Sequence, residues 1–110
     1  MSGETHKLVW FVPEEALEQT RDAVFRAGAG RIGDYERCSW STLGKGTFLG
    51  REGSDPAIGE AGREERVTEY RVETVVPVER ARAVVDALVA AHPYEEVAYD
   101  LYPLVHLDDT

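Results

Sequence analysis

Two stretches, FVPEEALEQTRDAVFRA (residues 11–27) and VVPVERARAVVDALVAA (residues 75–91), read as one unit used twice. Val-Pro, a Glu two residues past the Pro, Asp-Ala and a closing Ala recur at an offset of 64, from 11 to 75. Proline suits the first turn of a helix, where its missing N–H has no partner to lose, and carboxylates there complement the helix dipole. Leu17, Thr20, Val24 and Ala27 share a face with Ala16 and Ala23 near the 3.6-residue period, and Ala81, Val84, Val85 and Leu88 form the second stripe. Gly28 and Gly30 end the first helix; His92-Pro93 ends the second. Two copies do not make a solenoid. They make a strand–helix unit, doubled.

Working outward, KLVWFV (7–12) is a strand whose Leu8, Trp10 and Val12 point one way and Val9 and Phe11 the other. Both faces are apolar, which predicts a central strand covered on two sides. EYRVETVV (69–76) alternates cleanly, with Tyr70, Val72, Thr74 and Val76 on one face. Residues 35–41 alternate as a further strand, with GKGTF (44–48) as a turn and a short second strand. Residues 50–66 hold four glycines and one proline without periodicity and read as a long mobile loop. VAYDLYPLV (97–105) is the last strand.

The order βαββαβ is the α+β, ferredoxin-like sandwich: a four-stranded antiparallel sheet with two helices on one face, placed there by right-handed crossovers. One domain spans 1–110, with its core at about 7–105. The other sheet face carries Val9 and Phe11, so the fold predicts an oligomer whose subunits cover each other's sheets.

A formal net charge of −9 opposes nucleic-acid binding. No apolar run approaches the roughly 20 residues of a membrane span. The polar start MSGETHK lacks a signal-peptide core, and the single cysteine, Cys38, allows no internal disulfide; both point to the cytoplasm. Cys38 reads as a small buried hydrophobe.

HPYEEVAYD (92–100) gathers a histidine, two tyrosines and three carboxylates at the joint between the second helix and the last strand. His92 with Glu95 offers imidazole and carboxylate to a divalent metal, with His106 as a further candidate. The stretch lacks the spacing of a helical HExxH site, and Pro93 takes His92 off the helix face. His92, Tyr94 and Glu95 are candidate ligand contacts, against a structural reading as helix stop and packing. GKGT lacks the spacing and the following helix of a phosphate loop. Its Lys45, with Arg51, Arg63 and Arg66 from the long loop, is a candidate for an anion site between subunits. Glu95 and Glu96, adjacent in an extended chain, face opposite ways and make a poor acid–base pair for a hydrolase.

The tail HPYEEVAYDLYPL, with GAGRIGDYERCSWSTLGKGTF, GSDPAIG, Gly62 and VETVVP upstream in order, resembles the PII/CutA-like domain inserted in bacterial dinuclear-metal hexameric proteins of the YqfO type, the GTP cyclohydrolase 1 type 2 homologues. The resemblance runs over about residues 8–104. It implies a ferredoxin-like fold, assembly into a homotrimer, and a small effector, such as a nucleotide, held between subunits beneath a loop corresponding to about 42–66. CutA relatives add a link to divalent copper. The metal-binding residues of the full-length proteins lie in flanking halves outside this pattern, so neither a dinuclear site nor hydrolase activity is carried over. The expectation is a cytoplasmic, non-enzymatic, oligomeric binding or regulatory module, with a metal-binding protein of CutA type as the alternative.

Overall fold

A computed structural model describes residues 4–55 and 59–107. The strands are β1 (Thr5–Val12), β2 (Ser39–Leu49), β3 (Glu64–Pro77) and β4 (Tyr99–Pro103); the helices are α1 (Leu17–Arg26) and α2 (Ala81–Ala91). They form one antiparallel sheet in the order β2-β3-β1-β4, with α1 and α2 packed on each other. This is the ferredoxin-like arrangement.

The doubled unit is doubled in space as well. Each strand runs into a proline in extended conformation, Pro13 (φ −67°, ψ 156°) and Pro77 (φ −60°, ψ 139°). A single 3₁₀ turn follows, Glu14–Ala16 or Val78–Arg80, and only then the α-helix. The prolines therefore stand just before the helical turns rather than inside them. Their fixed φ continues the strand, and each lacks the N–H that the turn would leave unpaired.

The core lies between sheet and helices. Leu8, Trp10 and Val12 of β1 and Val72 and Val76 of β3 meet Val24 of α1 and Val84 and Leu88 of α2, all of them fully buried. Thr20 occupies the α1 position that Val84 fills in α2, an offset of 64. Its hydroxyl accepts the Trp10 indole N–H at 3.1 Å and lies 3.0 Å from the carbonyl of Ala16. A threonine on an apolar stripe is thus the acceptor that lets a tryptophan be buried.

Five local expectations change. The GKGTF segment is no turn: β2 is continuous, with Gly44 opposite Glu69 and Gly46 opposite Val67. Tyr35 is not in a strand but closes a tight turn with Ile32 through two reciprocal 2.9 Å backbone bonds, with Gly33 at φ 57°. β3 begins at Glu64, so Arg66 is a strand residue opposite Thr47, and the loop shortens to 50–63, of which Pro56, Ala57 and Ile58 lie outside the described residues. β4 starts at Tyr99, with Val97 packed on the core from the joint. Cys38, expected to be buried, is only half-buried; its carbonyl accepts the Thr74 hydroxyl at 2.6 Å.

The open sheet face also differs from expectation. Val9 is 1% exposed in the single chain. It sits opposite Glu73 on one side and Asp100 on the other, and Glu73 draws Lys7 (3.8 Å) and Arg71 (3.1 Å) across the same face. The edge strand β2 also carries exposed apolar side chains, Trp40 (60% exposed) on this face opposite Glu73 and Leu43 (55%) on the other face opposite Tyr70. β1 pairs β3 only from Tyr70 onward, so 44–49 and 64–69 project as a two-stranded arm. Among the described residues, no helix is long and apolar enough to cross a membrane.

Candidate functional site

α2 ends at Ala91, and His92 turns the chain with an extended backbone (φ −86°, ψ 140°). The residue is 7% exposed. Nε2 lies 2.7 Å from the Phe11 carbonyl, and Nδ1 accepts the Tyr94 backbone N–H at 3.1 Å. The pattern requires the neutral tautomer with its proton on Nε2. His92 therefore ties the joint to β1 and sets Tyr94, whose ring stands edge-on 4.8 Å away.

Burial lowers the His92 pKa below 6.5, with the Phe11 carbonyl bond opposing. Protonation would place a second N–H against the Tyr94 N–H. Because the folded pKa lies below the unfolded one, the contribution of His92 to stability is complete above pH ~6.5 and is lost as pH falls toward the folded value. An NMR titration of this imidazole is expected to give a midpoint below 6.5, with wild-type stability falling from pH 7 to pH 5 more steeply than that of His92→Ala. A midpoint at or above 6.5 would contradict the neutral clamp.

The joint forms one wall of a cleft of about 400 Å³. The arm forms the other, through the residues that face away from the helices: Phe48 of β2 with Val67 and Glu69 of β3. Phe11 lies at the base. The loop contributes Arg51 and Ser54, and its Asp55 N–H donates to the Glu95 carboxylate at 3.1 Å, which fastens loop to joint. Two hydroxyls in this cleft, Tyr94 Oη and Ser54 Oγ, are buried without a hydrogen-bond partner among the described residues. Burial raises the Tyr94 pKa, and the charges of Glu69 and Glu15 add to it; burial also raises that of Glu69.

Of the residues singled out in sequence, Arg51, Tyr94 and Glu95 come together here, with His92 behind them. Lys45 and Arg63 do not line the cleft. Lys45 projects from the other face of the arm, its Nζ 3.0 Å from the Thr68 hydroxyl. Arg63 pairs with Glu60 and Glu65. His106 is exposed beyond β4. No group of three or more His, Cys, Asp or Glu residues with metal-site geometry occurs among the described residues. Phe48, Ser54, Val67 and Glu69 were not singled out. For Phe48, Val67 and Glu69 the signal in the sequence is alternation along the arm, readable once β2 is known to be continuous; Ser54, in the aperiodic loop, has none.

No family model matches the chain. It is 52% identical over 104 residues to the GTP cyclohydrolase 1 type 2 homolog of Mycobacterium tuberculosis and 50% identical over 98 residues to that of Bacillus subtilis. These matches take in 94% and 89% of the chain but only 27% and 26% of the relatives, so the chain spans about a quarter of their length. Among solved structures, a Bacillus cereus protein related to NIF3 matches 96% of the chain and 27% of its own, at TM-score 0.84 and 47% identity. CutA from Archaeoglobus fulgidus (TM-score 0.67, 17% identity, 93% of this chain and 85% of its own) and the Bacillus subtilis GlnK–ATP complex (0.63, 12%, 94% and 84%) share the fold. The relatedness covers nearly the whole chain, which is thus a relative of one segment of the GTP cyclohydrolase 1 type 2 homologues and has the fold of the CutA and GlnK proteins.

Proposed function

We propose that this module is a non-catalytic, self-associating binding domain that holds a small ligand in the cleft between arm and joint, at a subunit boundary. The observation that carries the reading is the pair of buried hydroxyls, Tyr94 Oη and Ser54 Oγ, without partners among the described residues in a cleft of ligand size. An unpaired buried hydroxyl costs free energy that a bound ligand would recover. Self-association, which we take to be a homotrimer, is supported by the 11-residue edge of β2, unpaired among the described residues, and its exposed Trp40 and Leu43. The cleft opens on the helix-free side of the sheet, where a second copy would close it.

Light scattering at micromolar concentration is expected to give a trimer mass; a monomer alone would remove the self-association. Thermal-shift screening against small effectors is expected to find ligands that raise the melting temperature of wild type and not of a Tyr94→Phe/Ser54→Ala variant. Equal shifts in both would move the site elsewhere.

The CutA likeness raises a divalent cation at His92 and Glu95 as the other reading. Both His92 ring nitrogens are already engaged by the backbone, and a metal would have to break one of those bonds. Calorimetry with Cu²⁺ and Zn²⁺ is therefore expected to give the same heats for wild type and His92→Ala. The ATP of the GlnK complex would meet a different difficulty here: its phosphates would face Glu69, Glu95 and Glu96 with Arg51 as the lining cation among the described residues.

A further inference from the structure

Glu69 lines the cleft as a half-buried carboxylate. Its side chain lies across β2 at Gly46, where even a methyl group would collide with its carboxylate. Gly46 is thus small because Glu69 is there. Neighbouring glutamates have cations: Glu73 takes Lys7 and Arg71, and Glu65 takes Arg63. Glu69 pairs with no Lys, Arg or His among the described residues. Arg71, the nearest in register toward the core, is committed to Glu73 at 3.1 Å and rests over the Phe11 ring, 5.8 Å from its centroid. A carboxylate drawn partly out of water against Phe11, Phe48 and Val67, with no counter-charge, is unfavourable unless something supplies one.

We infer that the cleft is built for an organic cation: an amine or amidine on a flat apolar frame, its N–H donors on the Glu69 carboxylate. This rests on the small-ligand reading above and names the ligand's chemistry. The frame would lie among Phe11, Phe48 and Val67, and the aromatic faces would favour its positive charge. Tyr94 and Ser54 would bond whatever polar group it carries at the far end. Glu69, Glu95 and Glu96 outnumber Arg51 around the cleft, so a phosphate or carboxylate ligand would meet net repulsion. The whole-chain charge of −9 acts in the same direction. The raised pKa of Glu69 is the mark of a carboxylate lacking its partner, and a bound cation would bring it down.

The test is a titration of the full chain, in its native assembly, with four probes: benzamidine, benzamide, benzoate and inorganic triphosphate. Binding is followed by the NMR signals of Phe48 and Tyr94. Benzamidine is expected to bind about tenfold or more tightly than its neutral isostere benzamide, and benzoate and triphosphate more weakly still. Glu69→Gln is expected to abolish the preference for benzamidine and to leave benzamide unchanged. Gly46→Ala, which displaces the same carboxylate without removing it, is expected to weaken benzamidine alone. Retention of the preference in both variants overturns the inference. So does tightest binding by benzoate or triphosphate with dependence on Arg51, an outcome that leaves the small-ligand reading standing. If no probe moves Phe48 or Tyr94, and no other small molecule does, both fall together.

Discussion

Replacing Trp10 with alanine is expected to lower the free energy of unfolding by about 3–5 kcal/mol, a large share of the roughly 5–15 kcal/mol typical of a domain this size. Trp10 is the largest fully buried side chain, in the central strand, between both helices and the sheet. Truncation leaves a cavity that Leu8, Val24 and Leu88 cannot fill without moving the helices. The indole N–H separates two contributions. Thr20→Val keeps the volume but strands that donor, at a cost of about 1–3 kcal/mol. Trp10→Phe in the Thr20→Val background removes the donor as well and should cost less than the two single changes added together. Denaturant unfolding followed by circular dichroism measures all of these. A Trp10→Ala loss under about 1 kcal/mol would mean that the helices do not pack on β1 as described.

The second large effect is expected at Gly30, in the link between α1 and β2. Its φ is +85°, and an added Cβ would lie 2.8 Å from the Phe25 ring and 3.1 Å from the Cys38 nitrogen. The ring cannot easily retreat, because the guanidinium of Arg37 lies over it 4.8 Å from the centroid and that of Arg21 5.3 Å from it. The backbone cannot retreat either: Gly30 N–H donates to Val75 O, and Gly30 O accepts Cys38 N–H, both at 2.8 Å. A left-handed conformation costs a non-glycine residue about 1–3 kcal/mol, and overpacking a further 1–3. Gly30→Ala should therefore destabilise by about 2–5 kcal/mol, read as a lowered denaturation midpoint with an unchanged slope. In contrast, Gly33→Ala meets no atom within 4 Å and carries only the conformational term.

The fold was legible because the echo between residues 11–27 and 75–91 encodes two strand–helix units, and the equivalent positions Thr20 and Val84, and Val24 and Leu88, are all fully buried. Glycine misled the reading in between. In GKGTF it suggests a turn, yet Gly46 is in a strand to make room for a side chain from the neighbouring strand, a pairing that local sequence does not contain. The reverse error befell Tyr35: its alternation with Arg37 imitates a strand, but Arg37 has φ 58° and Gly33 φ 57°, so the chain turns. At the site, the joint and loop were found through their polar residues. His92 is there less as a donor to ligands than as the acceptor and donor that fix Tyr94, which depends on the distant Phe11 carbonyl. Nothing in EYRVETVV sets Glu69 apart from Glu73, and only the pairing of the arm puts it in one cleft with Phe48 and Tyr94.

The central claim is that the cleft between arm and joint holds a small molecule in the assembled protein. A crystal structure of the oligomer, purified from cells without refolding, tests it most directly. Density for a bound molecule within hydrogen-bond distance of Tyr94 Oη and Ser54 Oγ, under a neighbouring copy of the chain, is the expected result. A cleft filled instead by side chains of that neighbour, with both hydroxyls bonded to them, would contradict it.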